Sequence, residues 1–256
     1  MILKNLHKSG GLTMLTAQHT KNMTGLLLSG DLDDLEKLYD ALHNIVGTEE
    51  DSRDLYDVRI RVLGLCYDLR HARMGHRNAA FKPHGLDEEQ MKFLSLVGTK
   101  QNLSISFETY WPEALYIIFV LNTFIEQYKK RTKAHLWDEN IAIVRMFQST
   151  VLSLVEQTIT PKQFASFKKW ADSDAIHSYS FYKNMYKQYI DYLNLEWIEM
   201  DREERVKKFN IFAKRITQHT ADYERFVDYM DAAAIEHGVS PDELEYGNYD
   251  DLQIIW

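Results

Sequence analysis

Apolar residues recur at helical spacing through most of the chain. Leu35, Leu38, Leu42 and Ile45 follow Ser29, Gly30 and Asp31, and Gly47 stops the pattern. Leu55, Val58, Val62, Leu65, Cys66, Leu69 and Ala72 then fall on one continuous face of a second helix that ends near Gly75, with Asp51 to Asp54 offering caps. Asn78 to Gly85 reads as a loop, and Asp87 to Leu96 as a shorter helix. After Pro112, at home in the first turn of a helix, the run ALYIIFVLNTFI is apolar on nearly all sides and too short to cross a bilayer, which predicts a buried central helix. Lys129 to Lys133 forms its basic exit.

Strand signals are confined to the first half. Met14 to His19 and Thr24 to Ser29 flank the turn-forming Lys21-Asn22 and predict a hairpin. Leu103, Ile105 and Phe107 alternate with Ser104, Ser106 and Glu108, a strand able to join that hairpin. Beyond Leu136 the reading is all helical. One segment carries Ile141, Val144, Phe147, Val151, Leu152 and Val155, and the next, capped by Thr160-Pro161, carries Phe164, Phe167 and Trp170. A third places Tyr182, Tyr186, Tyr189, Leu193 and Trp197 on one stripe. A fourth, from Asp201 to His237, repeats at Val206, Phe209, Phe212, Ile216, Tyr223, Phe226 and Met230. Such aromatic stripes read as core before they read as ligand platforms. The expected fold is α+β and predominantly α-helical: a small N-terminal antiparallel sheet packed on helices, followed by an all-helical half. A weak boundary near Arg131 to Leu136 separates an α+β part, 14–135, from a helical part, 136–256, packed on it as a second unit or as one continuous domain.

Composition narrows the class. With 45% hydrophobic residues, four prolines and one cysteine in 256 residues, the chain can bury a sizeable core and is not built on disulfides, which points to the cytoplasm. Cys66 sits on the apolar stripe and reads as core rather than as a reactive thiol. The formal charge of −8 disfavours a general nucleic-acid binder. Charge is also unevenly placed. Asp31 to Asp57 holds ten acidic and two basic residues, whereas Arg59 to Arg77 holds five arginines against Asp68. The tail from Glu236 carries six acidic residues and no lysine or arginine, and ends in Leu252, Ile254, Ile255 and Trp256. The simplest reading pairs the basic helix with the chain's own acidic segments.

The first thirteen residues, MILKNLHKSGGLT, have neither a signal-peptide core nor an anchor. Lys8 to Gly11 can be encoded as AAA-AGT-GGA-GGT, which places the ribosome-binding string GGAGG roughly seven nucleotides before the Met14 codon. Met14 is therefore expected to be the natural start, and 1–13 a non-native leader.

The string RVLGLCYDLRHARMGHR, with GLDEEQMKF and YWPEALYIIFVLNTFI after it, resembles a family of uncharacterised bacterial proteins known only as a domain of unknown function, over about Met14 to Tyr128. The resemblance implies a bacterial cytosolic setting and supports Met14 as the start. It carries no activity, so no catalytic residue follows from it.

Candidate chemistry is sparse. The chain has no GxxxxGK[ST] or GxGxxG phosphate loop and no GxSxG elbow. Asp68-x-x-His71 puts two ligand types on one helical face, but the paired Glu-x-x-His motifs of di-iron bundles are absent, and neither metal nor cofactor is expected. Arg59, Arg70, Arg73 and Arg77 flank the apolar stripe and, with His71, are the candidate binding residues. Arg70-x5-His76 is similar to the arginine–histidine motif of HEPN-type helical ribonucleases; by that resemblance Arg70 would stabilise a charged phosphorane and His76 would shuttle a proton without metal. Arg77-x6-His84 is a second match of that spacing, and chance alone supplies one or two. The reading leans away from catalysis, toward a protein-binding or regulatory module with an arginine-rich helix flank that binds a protein partner or a second copy of itself; metal-independent RNA cleavage by Arg70 and His76 is the alternative.

Overall fold

The computed structural model describes residues 15–171, 184–218, 220–246 and 254–256, with the side chains of 170 and 171 left aside. The fold is α+β and predominantly helical. Strands β1 (Thr16–His19), β2 (Gly25–Gly30), β3 (Asn78–Pro83) and β4 (Gln101–Tyr110) form one antiparallel sheet in the order β1-β2-β4-β3. The helices are α1 (Leu32–Val46), α2 (Tyr56–Arg73), α3 (Glu88–Phe93), α4 (Trp111–Thr132), α5 (Glu139–Thr158), α6 (Pro161–Ala171), α7 (Asn184–Glu199), α8 (Arg202–Thr217) and α9 (Ala221–His237).

Local chemistry explains most boundaries. Asp31 caps α1 through a reciprocal box with Asp34, and Asp138 and Asp201 accept from the first-turn amides of α5 and α8. Thr160 and Gln163 form a similar box at the start of α6. Pro112 occupies the first turn of α4. Helix α2 departs from expectation. Residues 50–55 form a 3₁₀ turn, Asp51 hydrogen-bonds Thr48 instead of capping α2, and Leu55 precedes the helix with no side-chain cap.

Two expectations are corrected. The segment read as a loop is strand β3, paired with β4 from Asn78↔Ser106 to Pro83↔Gln101. All six of its residues are exposed, so neither face imposed an apolar alternation. The segment read as one helix from Asp201 to His237 is two, α8 and α9, separated around Thr220 without a glycine or proline to mark the break. Strand β4 also runs beyond the predicted Leu103–Phe107 at both ends. Tyr182, Leu252 and the leader 1–13 lie outside the described residues, as does the Trp170 side chain.

Helix α4 is the centre of the core. It packs on α1 and on β2 and β4 from one half of the chain and on α5, α7 and α8 from the other. Ile117, Ile118, Val120 and Leu121 are all buried, as the apolar run predicts. The β1–β2 turn is tied to the C-terminal helices by buried polar contacts. Trp197 Nε1 donates to the carbonyls of Met23 and Thr24, at 3.1 and 2.9 Å, and the Arg205 guanidinium donates to Asn22 O, Thr24 Oγ1, Trp197 O and Ile198 O.

Because Leu121 is fully enclosed, Leu121→Ala should cost about 2–5 kcal/mol through lost transfer energy and a residual cavity. Denaturant unfolding measures this, and a change within about 0.5 kcal/mol would show that the site is not a packed centre.

Candidate functional site

The sequence candidates scatter when placed in the fold. Arg59 donates to the Gly47 carbonyl and borders an open, polar depression with His43 and Arg131. Arg70 is exposed and lies over the Tyr67 ring. His71 meets the Tyr67 carbonyl through Nδ1, at 2.9 Å, and its ring lies 5.7 Å from that of His76. Arg73 pairs with Glu36 at 2.5 Å and covers the Tyr39 ring, so it is held by the acidic α1. Arg77 pairs with Asp68 at 2.7 Å. Neither Arg70 nor His76 lines the cleft that Asp68 and Arg77 border, and no cluster of three potential metal ligands occurs among the described residues.

The arginine that organises this region is Arg61, which the flank pattern passes over. It leaves α2 and chelates Glu113 of α4, with Nε 2.9 Å from both carboxylate oxygens and Nη2 2.5 Å from Oε2. The same Nη2 reaches Asp191 of α7 at 2.8 Å, and Nη1 donates to the Lys187 carbonyl. Burial opposes the guanidinium's charge, but Glu113 and Asp191 outweigh it and hold its pKa above the ordinary arginine value. Asn194, one turn further along α7, donates to Glu113 Oε2 at 3.1 Å, while its own Oδ1 is buried with no partner among the described residues.

Above this clasp lies a cleft of about 740 Å³, a size suited to a small ligand. Its lining includes Arg61, Gly64 and Asp68 of α2, which share a helical face, and Glu108 and Tyr110 of β4. Arg77, Glu113, Asp191, Asn194 and Trp256 complete the charged and aromatic wall. Trp256 stacks on Tyr110 with centroids 5.0 Å apart, and the tail is fixed there by Asn22 Nδ2 to Trp256 O and Thr24 Oγ1 to Ile255 O. A Cβ at Gly25 would lie 1.9 Å from Thr109 O and 3.0 Å from the Trp256 ring, so the close approach of β2, β4 and the tail requires glycine. Burial, with Asp68 and Glu113 nearby, pushes the Tyr110 phenol up to about 12.

The family model described as Domain of unknown function (DUF6904) matches residues 15–256. The chain belongs to this family. The match extends the resemblance from the first half through the C-terminal helices, and with it to every described wall of the cleft. No curated protein and no solved structure matches the chain.

Among the described residues two arginines face four carboxylates in the cleft, and both arginines are already paired. Glu108 also accepts from Asn78 Nδ2, at 2.8 Å. Each carboxylate thus answers a fixed donor, which suits recognition better than a shuttling proton. Cys66 sits apart, buried and pushed up to about 12 by burial, which leaves little thiolate.

The sequence signal that marks this site is Gly64 in mid-helix, between Arg61 and Asp68. A Cβ there meets nothing within 4 Å, so Gly64→Ala should raise stability by about 0.5–1 kcal/mol in denaturant unfolding. A comparable loss would show that the helix needs a glycine at this point.

Proposed function

We propose that the chain is a binding module whose site is the cleft between α2, α4, α7 and β4, and whose ligand presents an organic cation such as a guanidinium or ammonium group. The observation that carries this reading is the surplus of carboxylates among the described residues, two beyond the paired arginines, beside the stacked Tyr110 and Trp256 rings. An anion would meet net negative charge and arginines already committed. A cation gains both from the carboxylates and from the aromatic faces. The buried acceptor Asn194 Oδ1 supports a ligand rich in N–H donors. This moves the binding role from the arginine flank to the opposite charge, and keeps the protein-binding reading in the form of a partner's arginine or lysine side chain. The unpaired thiol of Cys66 supports a cytoplasmic setting for it.

Calorimetry of the full chain with agmatine, with a capped glycine–arginine–glycine peptide and with inorganic phosphate tests the proposal. The cations should bind at one site, more weakly as salt rises, and phosphate should not. A peptide that binds tighter than agmatine points to a protein as the source. Gly64→Trp should fill the cleft and abolish binding with the fold intact, and Glu108→Gln should weaken it several-fold. Binding of phosphate alone, or cation binding unaffected by both substitutions, would overturn the proposal.

A further inference from the structure

Independently of the cleft, the arm formed by β3, α3 and the start of β4 is built for contact with another surface. Phe81 is 69% exposed and Phe93 89%, together on the order of 300 Å² of aromatic surface. Leu94, Leu96 and Val97 of the same arm are exposed, as is Leu103, which pairs with Phe81. Together these side chains offer apolar surface of the scale that one partner brings to a standard interface, about 800 Å². Scattered exposed apolar residues are ordinary, but this many between Phe81 and Leu103 are not.

Among the described residues β3 is an edge strand, and its hydrogen-bonding direction can be read from the ladder. The His84 amide donates to Lys100 O at 3.1 Å, which continues the β3–β4 register outward. Bonded and non-bonded pairs alternate in an antiparallel ladder, so Lys82, Ala80 and Asn78 point their backbone groups at β4, while Ala79, Phe81 and Pro83 point theirs outward. Pro83 has no N–H to expose there, as befits an edge. Ala79 and Phe81 therefore present paired donors and acceptors to whatever lies alongside.

We propose that this edge joins the same edge of a second copy of the chain, antiparallel about a two-fold axis at Ala80. In that register Ala79 faces Phe81 of the second copy, and both exchange N–H···O=C bonds. A shift one way would set Ala79 against Pro83, which has no N–H to return; a shift the other way would set Phe81 against Arg77, outside the strand. The register also matches side chains. Phe81 and Leu103 share a face, and the large ring of Phe81 would lie beside the small Ala79, with Ile105 next in the row. On the other face Lys82 would stand across from Asn78, the residue that holds the Glu108 carboxylate, so a positive charge meets a negative neighbourhood and not another lysine. Such an interface is isologous and closes as a dimer, uniting two four-stranded sheets into one.

The test uses cysteine pairing in the full chain. Ala80 would be a non-bonded pair across the axis, with Cα atoms roughly 4.5 Å apart, inside the range a disulfide spans. Ala80→Cys should give a covalent dimer under mild oxidation, whereas Lys82→Cys, opposite Asn78 and far from its own copy, should not. Cys66 is buried and does not compete. Sedimentation should show a dimer for the unmodified chain and a monomer for Phe81→Asp, whose exposed position leaves the fold intact by circular dichroism. A monomeric unmodified chain, or cross-linking as fast through Lys82→Cys as through Ala80→Cys, would overturn the proposal.

Discussion

The clasp of Arg61 on Glu113 and Asp191 is the interaction on which the cleft depends. A guanidinium with one-tenth of its side chain exposed cannot sit between three helices without full compensation, and here two carboxylates and the Lys187 carbonyl provide it. The planar fork fixes both distance and orientation, so α2, α4 and α7 are held in one arrangement at the base of the cleft. Because the same carboxylates line the cavity, the contact that organises the helices also sets its electrostatic sign.

A second anchor shapes the upper wall. The β1–β2 turn offers its carbonyls to Trp197 and Arg205, and its Thr24 hydroxyl accepts from Arg205 while donating to Ile255 O. That chain of contacts links the first hairpin, α7, α8 and the segment Ile255-Trp256. Trp256 reaches Tyr110 as its consequence, which is how an aromatic face comes to stand beside the carboxylates.

Much of this fold is legible in the sequence because burial imposes a period. The stripes of α1 and α2 and the alternation in β4 each reflect one apolar face meeting the core, and α4, apolar on nearly all sides, is enclosed by it. Strand β3 escapes because both its faces are exposed, and the α8–α9 break escapes because the apolar period carries across Thr220. The site is hidden for a different reason. Arg61 lies 52 residues from Glu113 and 130 from Asp191, and no local pattern can say which of five arginines turns inward. The flank pattern favoured Arg59, Arg70, Arg73 and Arg77, whose partners prove to be a backbone carbonyl, an aromatic ring and nearby carboxylates. Of that flank Arg77 lines the cleft, and the local signal of an opening is Gly64, which interrupts the helix between Arg61 and Asp68.

The central claim is that Arg61 and Glu113 stabilise the structure as a pair and not as separate residues. A double-mutant cycle of Arg61→Met and Glu113→Gln, followed by denaturant unfolding, measures it most directly. The account predicts that each single substitution destabilises strongly because it strands a buried partner, and that the double variant is much less destabilised than the sum, with a coupling at the upper end of about 0.5–3 kcal/mol. Additivity within about 0.5 kcal/mol would contradict it.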